Sequence, residues 1–505
     1  MIRSTTIVPV QTILLSWVMM SGGLDTPITT TDAFAFVPSS LSPPPSLPSS
    51  SSISRFSRVE VSTATLSLSA TSTTDGLAET TLDTSAAATA SKNAFIVEPI
   101  EWKFRGHSCY AEISKPSSND ASGGDASDVM AIPSKIQSWF SNIGGSSNGM
   151  EKNGKTDDTN LDVILIHGFG CSTTYWRETR KALNDAGYTV HSLDLLGQGK
   201  SSKPTRTGKV DGGDDVLYSI DLWAEQVDTY ARQYATKDSN FILVGNSLGS
   251  VVALSATTGD WSIGTQQQEA GSDSDTEDDE ELKTTSATTQ QPSSSSYDGP
   301  YLSQPGRTEG LCLFNCGIGM NSRNLVKTID SPTNKIVFNA LFDLLDFLVF
   351  DNPALLSYAV NNLVSEETLE KALLNLYVCA DDPSSRVDDE LVKSFVEPVT
   401  NDETSNIVDT IRQIYCNDGG KTPMELHEQY PSLSNTPIHL IWGNKDNVTP
   451  LSGSVGQFYS NLAASEAESE SVSLQVIEAG HIPFDERPEC NQGMIDWIES
   501  VVLQA

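Results

Sequence analysis

The chain has 505 residues, enough to bury a sizeable core, and its 66 acidic against 31 basic residues give a formal net charge of −35. That balance argues against nucleic acid as a partner and against electrostatic docking on an anionic membrane. Seven cysteines, an odd number without C-x-x-C or metal-ligand spacing, read as free thiols, and no metal or organic cofactor is implied.

In chain order, residues 1–35 read as a signal peptide. Arg3 precedes the apolar run Ile13 to Met20, which is too short to span a bilayer. Ala33-Phe34-Ala35 has the A-x-A form of a cleavage site, and residues 36–91 are rich in Ser, Thr, Ala and Pro, a composition that cannot build a core. With Phe36 directly after the cleavage pattern, the leader resembles the bipartite leader of diatom-type algae, which implies passage through the ER into a complex plastid. Plain secretion is the alternative; it would go with disulfides, against which the odd cysteine count speaks. Residues 92–505 predict one large α/β domain carrying disordered insertions at 114–160 and 264–308, placed at loops where added length costs little. The acidic block Glu269 to Glu281 inside the second insertion reads as a solvated flexible segment rather than a contact for a basic protein.

Val163-Ile164-Leu165-Ile166 is a buried-strand pattern that runs into His167-Gly168-Phe169-Gly170, a turn whose backbone amides suit an oxyanion hole. Thr189 to Leu193 predicts the next strand, with Asp194 hydrogen-bonding amides of its own turn. The strand Phe241 to Val244 is followed by Gly245-Asn246-Ser247-Leu248-Gly249 and then by the helix-like run Val251 to Leu254. This is the pattern of a nucleophile elbow, with Ser247 on a sharp strand-to-helix turn and the helix amides behind it. The amides of Phe169 and Leu248 are assigned to the oxyanion hole. Cys312 and Cys316 lie in or beside the strand that follows, close enough in sequence for a redox pair but without further support for one.

Between about 317 and 437 the pattern turns helical, as in a lid over the serine, and Lys335 to Leu356 is unusually apolar, interrupted by Asp343 and Asp346. These aspartates argue against a membrane span; the segment reads as lid-to-core packing or as a wall for a long alkyl or isoprenoid chain. The strand Ile438 to Trp442 leads to a loop holding Asp446, and the strand Leu474 to Ile477 leads to one holding His481. A serine hydroxyl needs an imidazole to take its proton, and the imidazole needs a carboxylate to fix its tautomer. Of the six histidines, His481 alone stands beyond both Ser247 and Asp446 at a late strand end; His167 is expected to shape the oxyanion loop.

Ser219-Ile220-Asp221-Leu222-Trp223-Ala224-Glu225-Gln226-Val227, the elbow, Asp194-Leu195-Leu196-Gly197-Gln198-Gly199 and the lid segments from Ser365 to Tyr377 and Val387 to Pro398 together resemble the pheophytinase and chlorophyll dephytylase group of plastid α/β-hydrolases. The resemblance covers roughly residues 93–114 and 160–501. It implies a mostly parallel, doubly wound α/β-hydrolase sheet with a helical lid before the penultimate strand, a triad of Ser247, Asp446 and His481, and cleavage of phytyl esters of chlorophyll-type pigments. Ser250 departs from the second glycine that many relatives carry there. A hydrophobic small-molecule ester is the expected partner, with peripheral contact to plastid membranes through the lid. A galactolipid lipase, a thioesterase and a carbon–carbon bond hydrolase share the fold, and a non-catalytic receptor is the remote alternative.

Overall fold

The structure is a computed structural model, which describes residues 95–116, 161–205, 216–234, 239–261, 299–363, 365–378, 382–400, 404–465 and 471–504. The expected leader, most of both insertions and Cys379 lie outside the described residues.

One 8-stranded sheet carries the domain: β1 (Ile96–Phe104), β2 (His107–Lys115), β3 (Leu161–Ile166), β4 (Thr189–Leu193), β5 (Asn240–Asn246), β6 (Thr308–Phe314), β7 (Ile438–Gly443) and β8 (Val472–Ile477), in the spatial order β1-β2-β4-β3-β5-β6-β7-β8. β1 and β2 form an antiparallel hairpin across Arg105-Gly106, both with positive φ, and β2 meets β4 antiparallel. From β4 to β8 all pairings are parallel. Parallel strands covered on both faces need apolar residues facing both ways, which is why these strands read as continuous apolar runs. Ile164, Ile166, Leu243, Leu313 and Leu440 point to one core, while Val163, Leu165, Val244, Phe314 and Ile441 point to the other.

The first core is covered by α2 (Ile220–Tyr234), α3 (Leu248–Thr258) and α9 (Ser454–Ser465), and the second by α1 (Arg177–Asp185) and α10 (Cys490–Gln504). Between β6 and β7 the chain leaves the sheet to build the lid: α4 (Pro332–Leu345), a π-helical turn Asp346–Phe350, α5 (Pro353–Leu363), α6 (Glu366–Leu374), α7 (Asp389–Thr400) and α8 (Thr404–Cys416). The lid has a small core of its own, formed by Val349, Phe350, Leu356, Val360, Ile407 and Val408.

The ordered segments extend beyond the sequence expectation at two places. β2 continues through Ser114, which is fully buried, and the end of the 264–308 stretch is anchored where Tyr301 N and Leu302 N each donate to Asp228 Oδ1 at 2.7 Å. The lid differs as well. Ile336, Val337, Leu341, Leu344, Phe347 and Leu348 are exposed, while Phe342, Val349 and Phe350 are buried, so the apolar run is only half used for packing. A helix that is apolar all round gives no periodic signal to separate the buried stripe from the exposed one.

Candidate active site

β3 and β5 lie side by side although β4 intervenes in sequence, and in such sheets the crevice outside the carboxyl ends of the strands at this switch point is where ligands bind. The turn after β3 carries Phe169 and the turn after β5 carries Ser247. Ser247 has φ 53 and ψ −117, a strained conformation for a residue with a side chain. It persists because the surroundings over-determine it. Ser247 N donates to Phe314 O at 3.0 Å, and its own carbonyl accepts from Gly317 N at 3.0 Å and Ser250 N at 3.1 Å. The flanking glycines are required by space: a Cβ at Gly245 would run into the Gly249 backbone, and one at Gly249 into the Ile166 carbonyl. At the departure from the familiar second glycine, Ser250 donates from its hydroxyl to Gly245 O at 3.0 Å and so reinforces the turn.

Leu248 opens α3, so its N–H belongs to the first helical turn, whose amides have no partner within the helix. Among the described residues no acceptor takes the N–H of Leu248 or of Phe169. The turn that presents Phe169 is held by His167, whose Nε2 accepts from Leu195 N at 3.1 Å while Nδ1 lies 2.7 Å from Gly168 O. Burial pushes the His167 pKa down to about 4 against the opposing Gly168 hydrogen bond, so the ring is neutral and Nδ1 is the donor. Gly170 N also donates to Gln198 Oε1 at 2.6 Å.

Asp446 follows β7 and His481 follows β8. The structure brings them together, with His481 Nδ1 2.9 Å from Asp446 Oδ2 and both side chains buried. Burial alone would raise the Asp446 carboxyl. The facing His481, with hydrogen bonds from His481, Thr449 and Asn315, outweighs it and holds the pKa at about 2. Val448 N at 2.7 Å and Thr449 N at 3.1 Å donate to the other oxygen, Oδ1. With Nδ1 engaged, Nε2 is the ring nitrogen left for proton transfer. Ser247 and His481 line one cavity of about 440 Å³ together with Phe169 and Leu248. Its upper wall is apolar and belongs to the lid: Leu356, Val360, Leu369, Leu373, Phe395, Ile407 and Ile411.

Several residues that organise this site carry no signal in the sequence as read above. Asn246 donates to the His481 carbonyl at 3.3 Å and accepts from the Tyr175 hydroxyl at 2.8 Å, so the residue before Ser247 ties the elbow to the histidine loop. Asn315, at φ 45, donates to Asp446 Oδ2 and accepts from Gly443 N at 3.2 Å. It directly follows β6, and as an amide rather than a carboxylate it has no place in a Ser-His-acid pattern. Arg177 bonds Asp485 through Nε at 2.9 Å and Asp388 through Nη1 at 2.6 Å, and Tyr377 donates to Asp485 at 2.7 Å. A Cβ at Gly480 would run into the carbonyl oxygen of Leu376. Leu376 of the lid is therefore seated directly on the loop that holds His481.

Asp194 accepts from Lys200 N at 2.7 Å in its own turn and from Thr173 N at 2.6 Å, and burial raises its pKa to about 7. His191 and His439 lie within strands, and His107 opens β2 just beyond the hairpin turn. Cys109, Cys171, Cys312, Cys316, Cys416 and Cys490 are unbridged. Among the described residues no group of three or more His, Cys, Asp or Glu is placed to hold a metal ion.

Residues 163–257 match the family model described as alpha/beta hydrolase fold. The fold is that of the α/β-hydrolases. Over 94 residues the chain is 34% identical to the mouse (Lyso)-N-acylphosphatidylethanolamine lipase, a match covering 18% of this chain and 25% of that protein. Over 98 residues it is 37% identical to the probable lysophospholipase BODYGUARD 3 of Arabidopsis thaliana, covering 19% of this chain and 18% of the relative. The matches thus span a quarter or less of these relatives. Among solved structures, potato epoxide hydrolase I aligns with a TM-score of 0.45 and 13% identity, over 80% of this chain and all of that one.

Proposed function

We propose that the protein is a serine hydrolase that cleaves a carboxylic ester through an acyl-enzyme. The observation that carries this reading is the 2.9 Å contact of Asp446 with His481, which lines one cavity together with the strained Ser247. In the proposed mechanism Ser247 Oγ attacks the ester carbonyl and its proton passes to His481 Nε2, while Asp446 fixes the tautomer and balances the imidazolium. The amides of Phe169 and Leu248 hold the oxyanion. Collapse of the tetrahedral intermediate releases the alcohol, which takes the proton from His481. Water, deprotonated by His481, then attacks the acyl-serine and releases the acid.

The favoured substrate is the phytyl ester of pheophytin or chlorophyll, supported by the motif resemblance and by the apolar lid wall, which suits a long branched alkyl chain. The leader motifs support a plastid location, where such esters lie in membranes that the lid contacts. A second reading, hydrolysis of an acyl lipid, is favoured by the names of the relatives, a lipase and a probable lysophospholipase. Parallel assays of phytol release from pheophytin and chlorophyll and of fatty-acid release from galactolipid and lysophospholipid separate the two. The expected result is phytol release that Ser247→Ala lowers at least about 10³-fold. Fatty-acid release alone would replace the pigment reading with the lipid one. A wild-type protein that neither hydrolyses any of these esters nor reacts with a fluorophosphonate at Ser247 would reduce the chain to a receptor built on the fold.

A further inference from the structure

Half of the twelve exposed large apolar residues of the described molecule fall on one stretch of the lid. Six of them, Ile336, Val337, Leu341, Leu344, Phe347 and Leu348, lie on α4 and the π-helical turn behind it. Ile336 is 70% exposed and Phe347 72%. The opposite face of the same segment is used conventionally: Phe342, Val349 and Phe350 are buried, and Asp346 is neutralised from within by Arg323 Nη2 at 2.6 Å. The outward face carries these six apolar side chains, with exposed Asn339 and Asp343 beside them. Contiguous patches of this kind mark interaction sites.

The patch is joined to the cavity by a column of aromatic rings. Phe350, at the end of the π-helical turn, stacks on Tyr415 at 5.3 Å, and Tyr415 meets Phe169 of the oxyanion turn edge-on at 5.5 Å. Val349 and Phe350 share the lid core with Leu356, Val360 and Ile407, whose side chains also line the cavity. The exposed stripe therefore lies one layer outside the space that takes the apolar chain of the substrate.

We propose that this stripe docks on a lipid surface without net charge, with the axis of α4 in the plane of the interface and its apolar side chains in the boundary between headgroups and acyl chains. The occupant is argued from charge and from continuity. A chain of net charge −35 is repelled by anionic headgroups, and α4 carries one lysine, Lys335, and one aspartate, Asp343, rather than a basic cluster, so apolar burial has to supply the affinity. The stripe also adjoins a wall made for a substrate drawn from a membrane. The proposal rests on that reading of the substrate and names the surface and the class of lipid.

The test is co-flotation of the full chain with vesicles of ether-linked phosphatidylcholine, which contain no ester to cleave, so binding is read apart from hydrolysis. Vesicles with a third of the lipid replaced by ether-linked phosphatidylglycerol form the second arm. The wild type is expected to float with the neutral vesicles and less with the anionic ones. The double variant Phe347→Asp/Leu348→Asp, and separately Ile336→Asp/Leu344→Asp, should lower the bound fraction at least about tenfold while keeping the wild-type rate of fluorophosphonate labelling. Variants that float like the wild type, or a wild type that prefers anionic vesicles, would overturn the proposal. A wild type that is monomeric by light scattering and does not float would mean that the chain covers the stripe itself. A dimer that the variants dissolve would assign the stripe to a second copy.

Discussion

The inner part of the lid, α6 and α7 with Leu376, Tyr377 and Asp388 between them, is fastened to the body of the domain by directional bonds, Arg177 to Asp388 and Asp485 and Tyr377 to Asp485, and by the close seat of the Leu376 carbonyl on Gly480. The outer part, α4 and the π-helical turn, rests on a small apolar core and on the ion pair of Arg323 with Asp346, and turns a second apolar stripe outward. The difference is one of chemistry as well as exposure. Directional bonds to the histidine loop fix a position, whereas apolar contacts on both sides of one helix leave it a choice of neighbours.

Removing the central fastening should have the largest effect. Arg177→Met leaves Asp485 buried and half-paired, and loss of one partner of such a pair costs about 3 kcal/mol or more. The expected outcome is a lower urea midpoint with unchanged slope, together with a fall of about tenfold or more in kcat on a short soluble ester as the His481 loop shifts. A variant as stable and active as the wild type would erase the distinction between the two parts of the lid. Tyr377→Phe is a finer cut. It removes one hydroxyl donor from Asp485 and leaves the guanidinium in place, so urea unfolding should show a loss of about 1–2 kcal/mol. The smallest effect is expected on the other side of the comparison. Leu344→Ser, on the exposed stripe, should change stability by no more than about 0.5 kcal/mol. A loss several times larger would mean that the stripe carries packing in the folded molecule after all.

These contrasts also separate what was legible in the sequence from what was not. Ser247, Asp446 and His481 each follow an apolar strand within a few residues, and parallel strands in a covered sheet deliver their carboxyl-terminal loops to one edge; local pattern and sheet logic together were enough to bring them near one another. Phe169 and Leu248 were legible for the same reason, being attached to strand ends. Arg177 and Asp485 lie 308 positions apart, and no periodicity links them. Asn315 carries no signal because a triad pattern asks for a carboxylate, whereas an amide serves here by donating to one. Asn246 reads as the variable position of a short motif, and its partner, the His481 carbonyl, is a backbone atom that any residue would supply. On α4 the residues were visible but not their partition, since apolar residues on both faces leave nothing for a helical period to sort.

Gly480 has a consequence for tracing ancestry. A lid seated as this one is, with the Leu376 carbonyl pressed on the residue before the histidine, tolerates no side chain at that position. Lid helices can drift in length and composition across a lineage while this single codon stays under veto. A glycine directly ahead of the late histidine is therefore compatible with inheritance of the same seat, and a bulkier residue there marks a chain whose lid has been re-seated. The position can sort the descendants of this fold by lid architecture before any of them is crystallised.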